Sequence, residues 1–190
     1  MQGNWTVDQY LRLETNHFIE FHDGVLEFLP APTEFHQFLV LSLCTRINSH
    51  ITSRGLGIAL FGPLPLRLND QLYRVPDVMF MATEHGFRRH NRFWDGADLV
   101  MEVVNTDDPN RDFEEERADY ASAGIPEYWI IDPERREITV LILKGNRYAE
   151  RGIYATRQRA TSSLLKGFAV DVSKLFKAAD AAWKSGGSGD

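Results

Sequence analysis

Two carboxylic acids interrupt otherwise apolar segments of the sequence. Asp77 lies in Val-Pro-Asp-Val-Met-Phe, residues 75–80, and Glu102 lies in Leu-Val-Met-Glu-Val-Val, residues 99–104. A carboxylate is costly to bury unless it is hydrogen-bonded, paired or bound to a metal ion. If the two segments are neighbouring strands, both acids can point into one pocket, and carboxylates with water and a substrate phosphate suit Mg²⁺. The alternative is structural, with Asp77 capping a turn and Glu102 pairing with an arginine.

The surrounding pattern predicts the elements that must position these acids. Because side chains alternate along a strand, Glu102 shares a face with Val100 and Val104. Periodicity, caps and turn residues predict a short helix after Thr6, a hairpin around Asp23-Gly24, a long helix over residues 33–54, strands over 57–61, 64–68, 74–81, 97–104, 127–132 and 138–143, a helix from Asp112 to Gly124, and a closing hairpin and short helix. The fold class is therefore α/β (α+β), a mixed β-sheet flanked by helices. We expect one domain over residues 1–183 and a flexible tail over 184–190.

The charge balance bears on nucleic-acid binding. Lys and Arg number 21 against 27 Asp and Glu, a net charge of −6, whereas proteins that bind phosphate backbones usually carry a basic footprint. Arg88, Arg89 and Arg92 nevertheless form a local basic segment between the two candidate acids. That segment could reach a substrate backbone, and a solvated loop is the alternative.

Several other protein classes lack support. The sequence contains no phosphate-binding loop, dinucleotide-binding or serine-hydrolase motif, and its histidines do not have zinc-site spacing. No apolar run is long enough to cross a bilayer, and the N-terminus does not read as a secretory signal. Cys44, the single cysteine, cannot form an internal disulfide. We therefore expect a cytoplasmic protein.

A family resemblance joins these observations. Asp77 after Pro76, with Glu102 25 positions later, resembles the PD-(D/E)XK nuclease superfamily. More narrowly, residues 6–176 resemble the Uma two family of restriction endonucleases, most specifically in the run Ala-Gly-Ile-Pro-Glu-Tyr-Trp at 123–129. The resemblance implies a restriction-endonuclease-like fold and a Mg²⁺ (or Mn²⁺) site at Asp77 and Glu102. It also implies a DNA substrate and a homodimer.

The sequence departs from that family at its lysine. The superfamily has a lysine two residues after the strand acid, here Val104, and the narrower family has it four residues before the helix tyrosine, here Glu116 before Tyr120. The first lysine of the chain is Lys144, so neither position holds one. Arg117 is the nearest substitute, although an arginine cannot act as a base at neutral pH. Glu116 is either a metal ligand or a solvated side chain.

Glu20 and His36 complete the candidate site. Glu20 alternates with apolar residues in the first hairpin strand, and the resemblance extends to it. His36 lies in the first turn of the long helix, where it could orient a carboxylate, contact phosphate or be purely structural. The resulting hypothesis is a Mg²⁺-dependent DNA endonuclease with the site residues Asp77, Glu102, Glu116, Arg117, His36 and Glu20. The alternatives are a catalytically inactive nuclease-fold protein serving in nucleic-acid binding or assembly, and a metal-dependent hydrolase of a non-nucleic substrate.

Overall fold

The N-terminal elements follow the local sequence signals. A computed structural model describes residues 3–15, 17–105 and 108–185. Helix α1 (Val7–Leu11) begins with a capping box, in which Thr6 and Gln9 satisfy each other's backbone N–H groups. Strands β1 (Ile19–His22) and β2 (Val25–Phe28) form the predicted hairpin. Asp23 and Gly24 form its turn with φ of 46° and 80°, the left-handed backbone that an Asp-Gly pair tolerates.

The long helix α2 (Glu34–Thr52) begins at the N-cap Thr33, whose side chain accepts a hydrogen bond from the backbone of His36. Its predicted apolar face packs on the six-stranded sheet described below. Leu39, Leu43, Ile47 and Ile51 are buried in this contact. The N-terminal turn of α2, with His36, therefore has a fixed position beside the sheet.

The remaining elements follow α2 in chain order. The strands are β3 (Gly57–Phe61), β4 (Leu66–Asn69), β5 (Leu72–Arg74), β6 (Val78–Ala82), β7 (Trp94–Asp95), β8 (Leu99–Val103), β9 (Glu127–Asp132), β10 (Glu137–Lys144), β11 (Arg147–Tyr154), β12 (Arg159–Thr161) and β13 (Ala169–Asp171). The helices are a 3₁₀ segment (Thr83–Arg88), a π-helical turn (Arg111–Glu115) that leads into α3 (Glu116–Ser122), and α4 (Val172–Ser185).

These strands form a mixed sheet flanked by helices, as the sequence predicts. The larger sheet has six strands in the order β11-β10-β9-β8-β6-β3, with β8 and β9 parallel and the other pairs antiparallel. A second sheet has the order β2-β1-β5-β4-β7, and β12 pairs with β13. One hydrophobic cluster joins the larger sheet to α2 and α4, and another joins its opposite face to α3. None of the described helices has the length and apolar character needed to span a membrane.

Three predicted elements differ from the structure. The single strand predicted over residues 74–81 is two strands, because Pro76 has no N–H to continue the ladder between β5 and β6. Asp112 is not a helix cap: the helix begins as a π-helical turn in which no side chain caps the N-terminus. Helix α4 is not short, and it extends through Lys184 and Ser185 into the predicted tail, while residues 186–190 lie outside the described part of the chain.

A candidate metal centre in an acidic cleft

A cleft of about 450 Å³ opens between the N-terminal turn of α2 and the ends of β6 and β8. Its acidic wall brings together side chains from both sheets and from the π-helical turn. We call it the acidic cleft, after the residues of that wall: Glu20, Asp77, Glu102, Asp112 and Glu116. Four of these five residues are sequence-predicted candidates, and His36 lines the same cleft.

Asp77 and Glu102 face each other across the start of a strand pair. Strands β6 and β8 are antiparallel with Val78 opposite Met101, which sets Asp77 opposite Glu102. The backbone N–H of Asp77 donates to Glu102 Oε2 at 2.8 Å, and the backbone N–H of Val103 donates to Asp77 Oδ2 at 2.8 Å. The Glu102 carboxylate thus holds the backbone of Asp77, and the Asp77 carboxylate holds the backbone of Val103, the residue after Glu102. Both side chains reach the same cleft.

Asp112 and Glu116 bring two more carboxylates to Glu102. Oxygen atoms of these three residues, the carboxylate cluster, all lie within 4.8 Å of one another. The side chains are buried, with exposed fractions of 5% for Glu102, 6% for Asp112 and 5% for Glu116. Asp77 lies beside this cluster and is not a member of it. The cluster depends on the π-helical turn, a rare conformation that occurs often at functional sites.

Burial and mutual repulsion disfavour the charged forms of the cluster. Burial, with the charge of Asp77, raises the pKa of Asp112 to about 7. Burial, followed by the charges of Glu116 and Asp77, raises the pKa of Glu102 well above its ordinary value. Burial, followed by the charges of Glu20 and Asp112, does the same to the pKa of Glu116. At neutral pH the cluster therefore favours the uptake of protons or of a cation.

Neutral donors fix one of the three acids. Tyr120 of α3 donates its hydroxyl hydrogen to Glu102 Oε1 at 2.6 Å. Among the described residues, no arginine forms an ion pair with Glu102, so the pairing alternative raised by the sequence is wrong. The tyrosine fixes the orientation of the carboxylate without neutralising it.

His36 acts on Asp77. Its Nε2 lies 3.1 Å from Asp77 Oδ2 and 3.1 Å from the carbonyl oxygen of Val103. Both neighbours are acceptors, so Nε2 carries the hydrogen. Burial lowers the pKa of His36, but the hydrogen bond and charge of Asp77 outweigh it, and the net pKa is raised. His36 therefore orients Asp77 from the α2 side of the cleft.

Two arginines form ion pairs with Glu20, the fifth acid of the cleft. Glu20 is buried in β1 and accepts hydrogen bonds from the backbone of Val75 at 2.8 Å, from Arg74 at 2.7 Å and from Arg111. Arg111 also donates its Nε hydrogen to Glu116 Oε1 at 3.0 Å. This network connects the second sheet to the π-helical turn. Among the described residues, Arg111 is the arginine that lines the cleft.

Comparisons with known proteins agree with this architecture. A family model described as "Putative restriction endonuclease", Uma2, matches residues 7–173. The chain belongs to the Uma2 family. A crystal structure from Anabaena variabilis, described as "a putative nuclease belonging to DUF820", matches with a TM-score of 0.76 and 19% identity, and the match covers 92% of this chain and 98% of that chain. No curated protein sequence matches. The Uma2 assignment and the restriction-endonuclease-like fold expected from the sequence are confirmed.

Neither of the two positions that the resemblance gives to a lysine holds one. Val104, in one of the two lysine positions, is buried against the apolar cluster under α3. Glu116, in the other, is buried in the cleft, so it is not the solvated side chain that was the alternative. Arg117 does not line the cleft. It is one residue further along α3, about 100° around the helix.

Sequence reasoning missed Asp112 and Arg111. An acid followed by Glu115 three residues later is a common capping pattern, and it predicts a helix cap at Asp112. A different signal was present: Asp112, Glu116 and Tyr120 recur every four residues, which indicates one helix face. Arg111 has no comparable signal, because two of its three carboxylate partners, Glu20 and Glu27, lie 91 and 84 residues away in the chain.

The basic segment lies outside the acidic cleft. Arg88 pairs with the buried Asp98 at 3.0 Å, and Arg92 donates to the carbonyl oxygen of Leu11 at 2.8 Å. Arg92 also lines a smaller cavity of about 340 Å³. Phe18 lines both that cavity and the acidic cleft. The two are therefore neighbours on the surface.

Proposed function

We propose that this protein is a Mg²⁺-dependent DNA endonuclease, slowed by the absence of the family lysine. The observation that carries the proposal is the meeting of Asp77 and Glu102 at one cleft, beside two further carboxylates. Oxygen-only donors of this kind suit Mg²⁺ or Mn²⁺. The fit is supported by Glu116 Oε2, a buried carboxylate oxygen that has no hydrogen-bond partner among the described residues.

The roles of the residues follow from their contacts. Asp77 and Glu102 would hold the ion, which when bound lowers the pKa of water and stabilises charge on a phosphate oxygen. His36 and the backbone of Val103 keep Asp77 in place, and Tyr120 keeps Glu102 in place. These fixed orientations mean that little reorganisation is needed when the ligand arrives.

Arg111 brings a permanent positive charge to this cleft. Glu20 and Glu116 accept hydrogen bonds from it, so its guanidinium is held near the carboxylate cluster. A guanidinium stays protonated at neutral pH and can pair with phosphate oxygens. Arg111 therefore takes the place that sequence reasoning gave to Arg117.

The substrate assignment comes from the family and from one surface feature. The acidic cleft adjoins the smaller cavity that Arg92 lines, and a strand of nucleic acid that reached the carboxylates could meet this basic residue. A cytoplasmic location and a homodimeric assembly belong to the same proposal and rest on the sequence.

Nicking of supercoiled plasmid tests the proposal. Wild type should nick slowly and only with Mg²⁺ or Mn²⁺, and Glu102→Gln should reduce the rate about 10²-fold or more. Glu115→Gln, which removes a neighbouring exposed acid, should match wild type. Nicking that persists without divalent ions, or in Glu102→Gln, would sink the metal mechanism.

A second function is favoured by Glu116 itself. A carboxylate where the family has lysine suits a nuclease fold that binds nucleic acid without cleaving it. Wild type would then give no nicking with either ion, while salt-dependent binding of duplex DNA would persist in a gel-shift assay. Cleavage above background would exclude this alternative.

A further inference from the structure

We propose that Glu102, Asp112 and Glu116 form a second divalent-cation site, and that its cation supplies the positive charge that the family's lysine supplies. The inference rests on the proposed function, because it adds an ion to the one proposed at Asp77 and Glu102. The ligand class is a hard divalent cation, Mg²⁺ or Mn²⁺.

The donor set fits such an ion. Oxygens of the three residues lie within 4.8 Å of one another, so one ion can touch all three. The donors are carboxylate oxygens, which hard cations prefer, and neither sulfur nor imidazole belongs to the set. Three negative charges in a buried position repel each other unless a cation or protons offset them.

Glu116 Oε2 is the observation that points to a ligand. The side chain is 5% exposed, and its other oxygen, Oε1, accepts a hydrogen bond from Arg111 at 3.0 Å. Oε2 is buried and has no hydrogen-bond partner among the described residues. Leaving a buried carboxylate oxygen without a donor is costly. A cation bound by the cluster would satisfy it.

The backbone makes Asp112 and Glu116 neighbours. They are four residues apart, Asp112 in the π-helical turn and Glu116 at the start of α3, so both project from one side of the helix. Tyr128 of β9 donates its hydroxyl hydrogen to the carbonyl oxygen of Asp112 at 3.1 Å and ties that turn to the sheet. The two carboxylates are thus held by fixed elements.

The second site is separate from the one at Asp77. Asp77 is not part of the carboxylate cluster, and its Oδ2 is engaged by His36 and by the backbone of Val103. Glu102 has one oxygen toward the backbone of Asp77 and the other toward Tyr120. A carboxylate offers several lone pairs, so Glu102 can contribute to both ions, as carboxylates do in two-metal sites.

Counting bound Mn²⁺ tests the inference without an activity assay. The metal-free full-length chain is titrated with Mn²⁺ by calorimetry, and free Mn²⁺ is followed by electron paramagnetic resonance. Wild type should bind two equivalents per chain, and Glu116→Gln and Asp112→Asn should each bind one. Asp77→Asn should lose the other equivalent. Glu115→Gln, the matched control on the same turn, should bind two.

The outcomes separate this inference from the proposed function. One equivalent in wild type, lost in Asp77→Asn and kept in Glu116→Gln and Asp112→Asn, overturns the second site alone. One equivalent lost in all three variants means a single shared ion and also overturns it. Binding that responds to Glu116→Gln and Asp112→Asn but not to Asp77→Asn supports the cluster and overturns the site at Asp77. No binding by wild type overturns both. Circular dichroism confirms that each variant is folded before it is counted.

Discussion

Two buried glutamates of this protein are held in opposite ways. Glu127 begins β9 and has an exposed fraction of 0%. Its Oε1 accepts from the indole N–H of Trp129 at 2.7 Å, and its Oε2 accepts from the backbones of Ser163 and Leu164 at 2.7 and 2.9 Å. Glu116 is almost as buried, but it has one arginine partner and acidic neighbours, and one of its oxygens has no hydrogen-bond partner in the described part of the chain.

The contrast separates a structural acid from a candidate ligand. Neutral donors surround Glu127, so its charge is stabilised locally and it pins the segment after β12 to the sheet. Around Glu116 the donors are too few and the nearest charges include Glu20 and Asp112, which raise its pKa further after burial. Burial alone therefore does not identify a functional carboxylate; unmet hydrogen bonding and like-charge neighbours do.

The same lysine substitution should have opposite outcomes in the two regions, and this is the largest effect expected. Glu127→Lys turns an ammonium toward three hydrogen-bond donors and should destabilise the protein by about 4 kcal/mol or more. Glu116→Lys places a cation beside Glu102 and Asp112 and should fold. At limiting Mg²⁺ it should also raise nicking about 10²-fold. Soluble yield, circular dichroism and plasmid nicking measure these effects. A stably folded Glu127→Lys protein would show that Glu127 is not a structural acid.

The metal-free protein should lose stability as pH rises. The folded pKa of Asp112, about 7, lies above its ordinary value of 3.8, so the folded state binds more protons between those values. The contribution of Asp112 to the free energy of unfolding is therefore greatest below about pH 4. It falls by up to a few kcal/mol as the pH rises to about 7. The raised pKa of His36 acts in the same direction. Urea unfolding across this range should show a flatter profile in Asp112→Asn.

Divalent ions should stabilise the protein through the acidic cleft and not through Glu127. At 100 times the dissociation constant of one site, Mn²⁺ should add about 2.7 kcal/mol to the free energy of unfolding. The gain should be larger at pH 8 than at pH 5, because the ion binds deprotonated carboxylates. Asp77→Asn and Glu116→Gln should each reduce the gain. Thermal melts with and without Mn²⁺ measure it, and an unchanged gain in both variants would place the ion elsewhere.

Glutamine substitutions should distinguish the two glutamates by about 2 kcal/mol in the metal-free protein. In Glu127→Gln the amide N–H₂ must face either Trp129 or the two backbone N–H groups, and it cannot accept their hydrogen bonds. The donors that remain satisfied bond a neutral oxygen in place of a charged one. Glu116→Gln removes a repelled charge, and its amide oxygen can still accept from Arg111. It should leave stability unchanged or raise it. Urea midpoints decide this, and a loss in Glu116→Gln equal to that in Glu127→Gln would assign Glu116 a structural role.

Glu115→Gln should have the smallest effect, below about 0.5 kcal/mol. Glu115 precedes Glu116 and carries the same charge, but it is exposed. Its substitution separates the effect of burial from that of charge on the helix. A change in stability or Mn²⁺ binding as large as that of Glu116→Gln would mean that the overall negative charge of the helix, and not the carboxylate cluster, causes the effect.

Local sequence determined much of the framework. The Thr6–Gln9 capping box and the Asp23-Gly24 turn predicted their elements correctly, because their interactions span at most three residues. Strand alternation correctly set Glu102 on the face opposite Met101, since the side-chain period of a strand is fixed. Asp77 and Glu102 were chosen because acids in apolar segments are costly, and both face one cleft.

Only the tertiary structure decided how those acids are surrounded. The break at Pro76 sets Asp77 directly before β6, and the π-helical turn makes Asp112 a cleft residue and not the predicted cap. The ion pairs of Glu20 join residues 54 and 91 positions apart. The energy of a buried charge depends on donors and charges within a few ångströms, and those come from distant segments that pack together. Sequence spacing specifies which acids are costly to bury, whereas packing determines which of them remain without a partner.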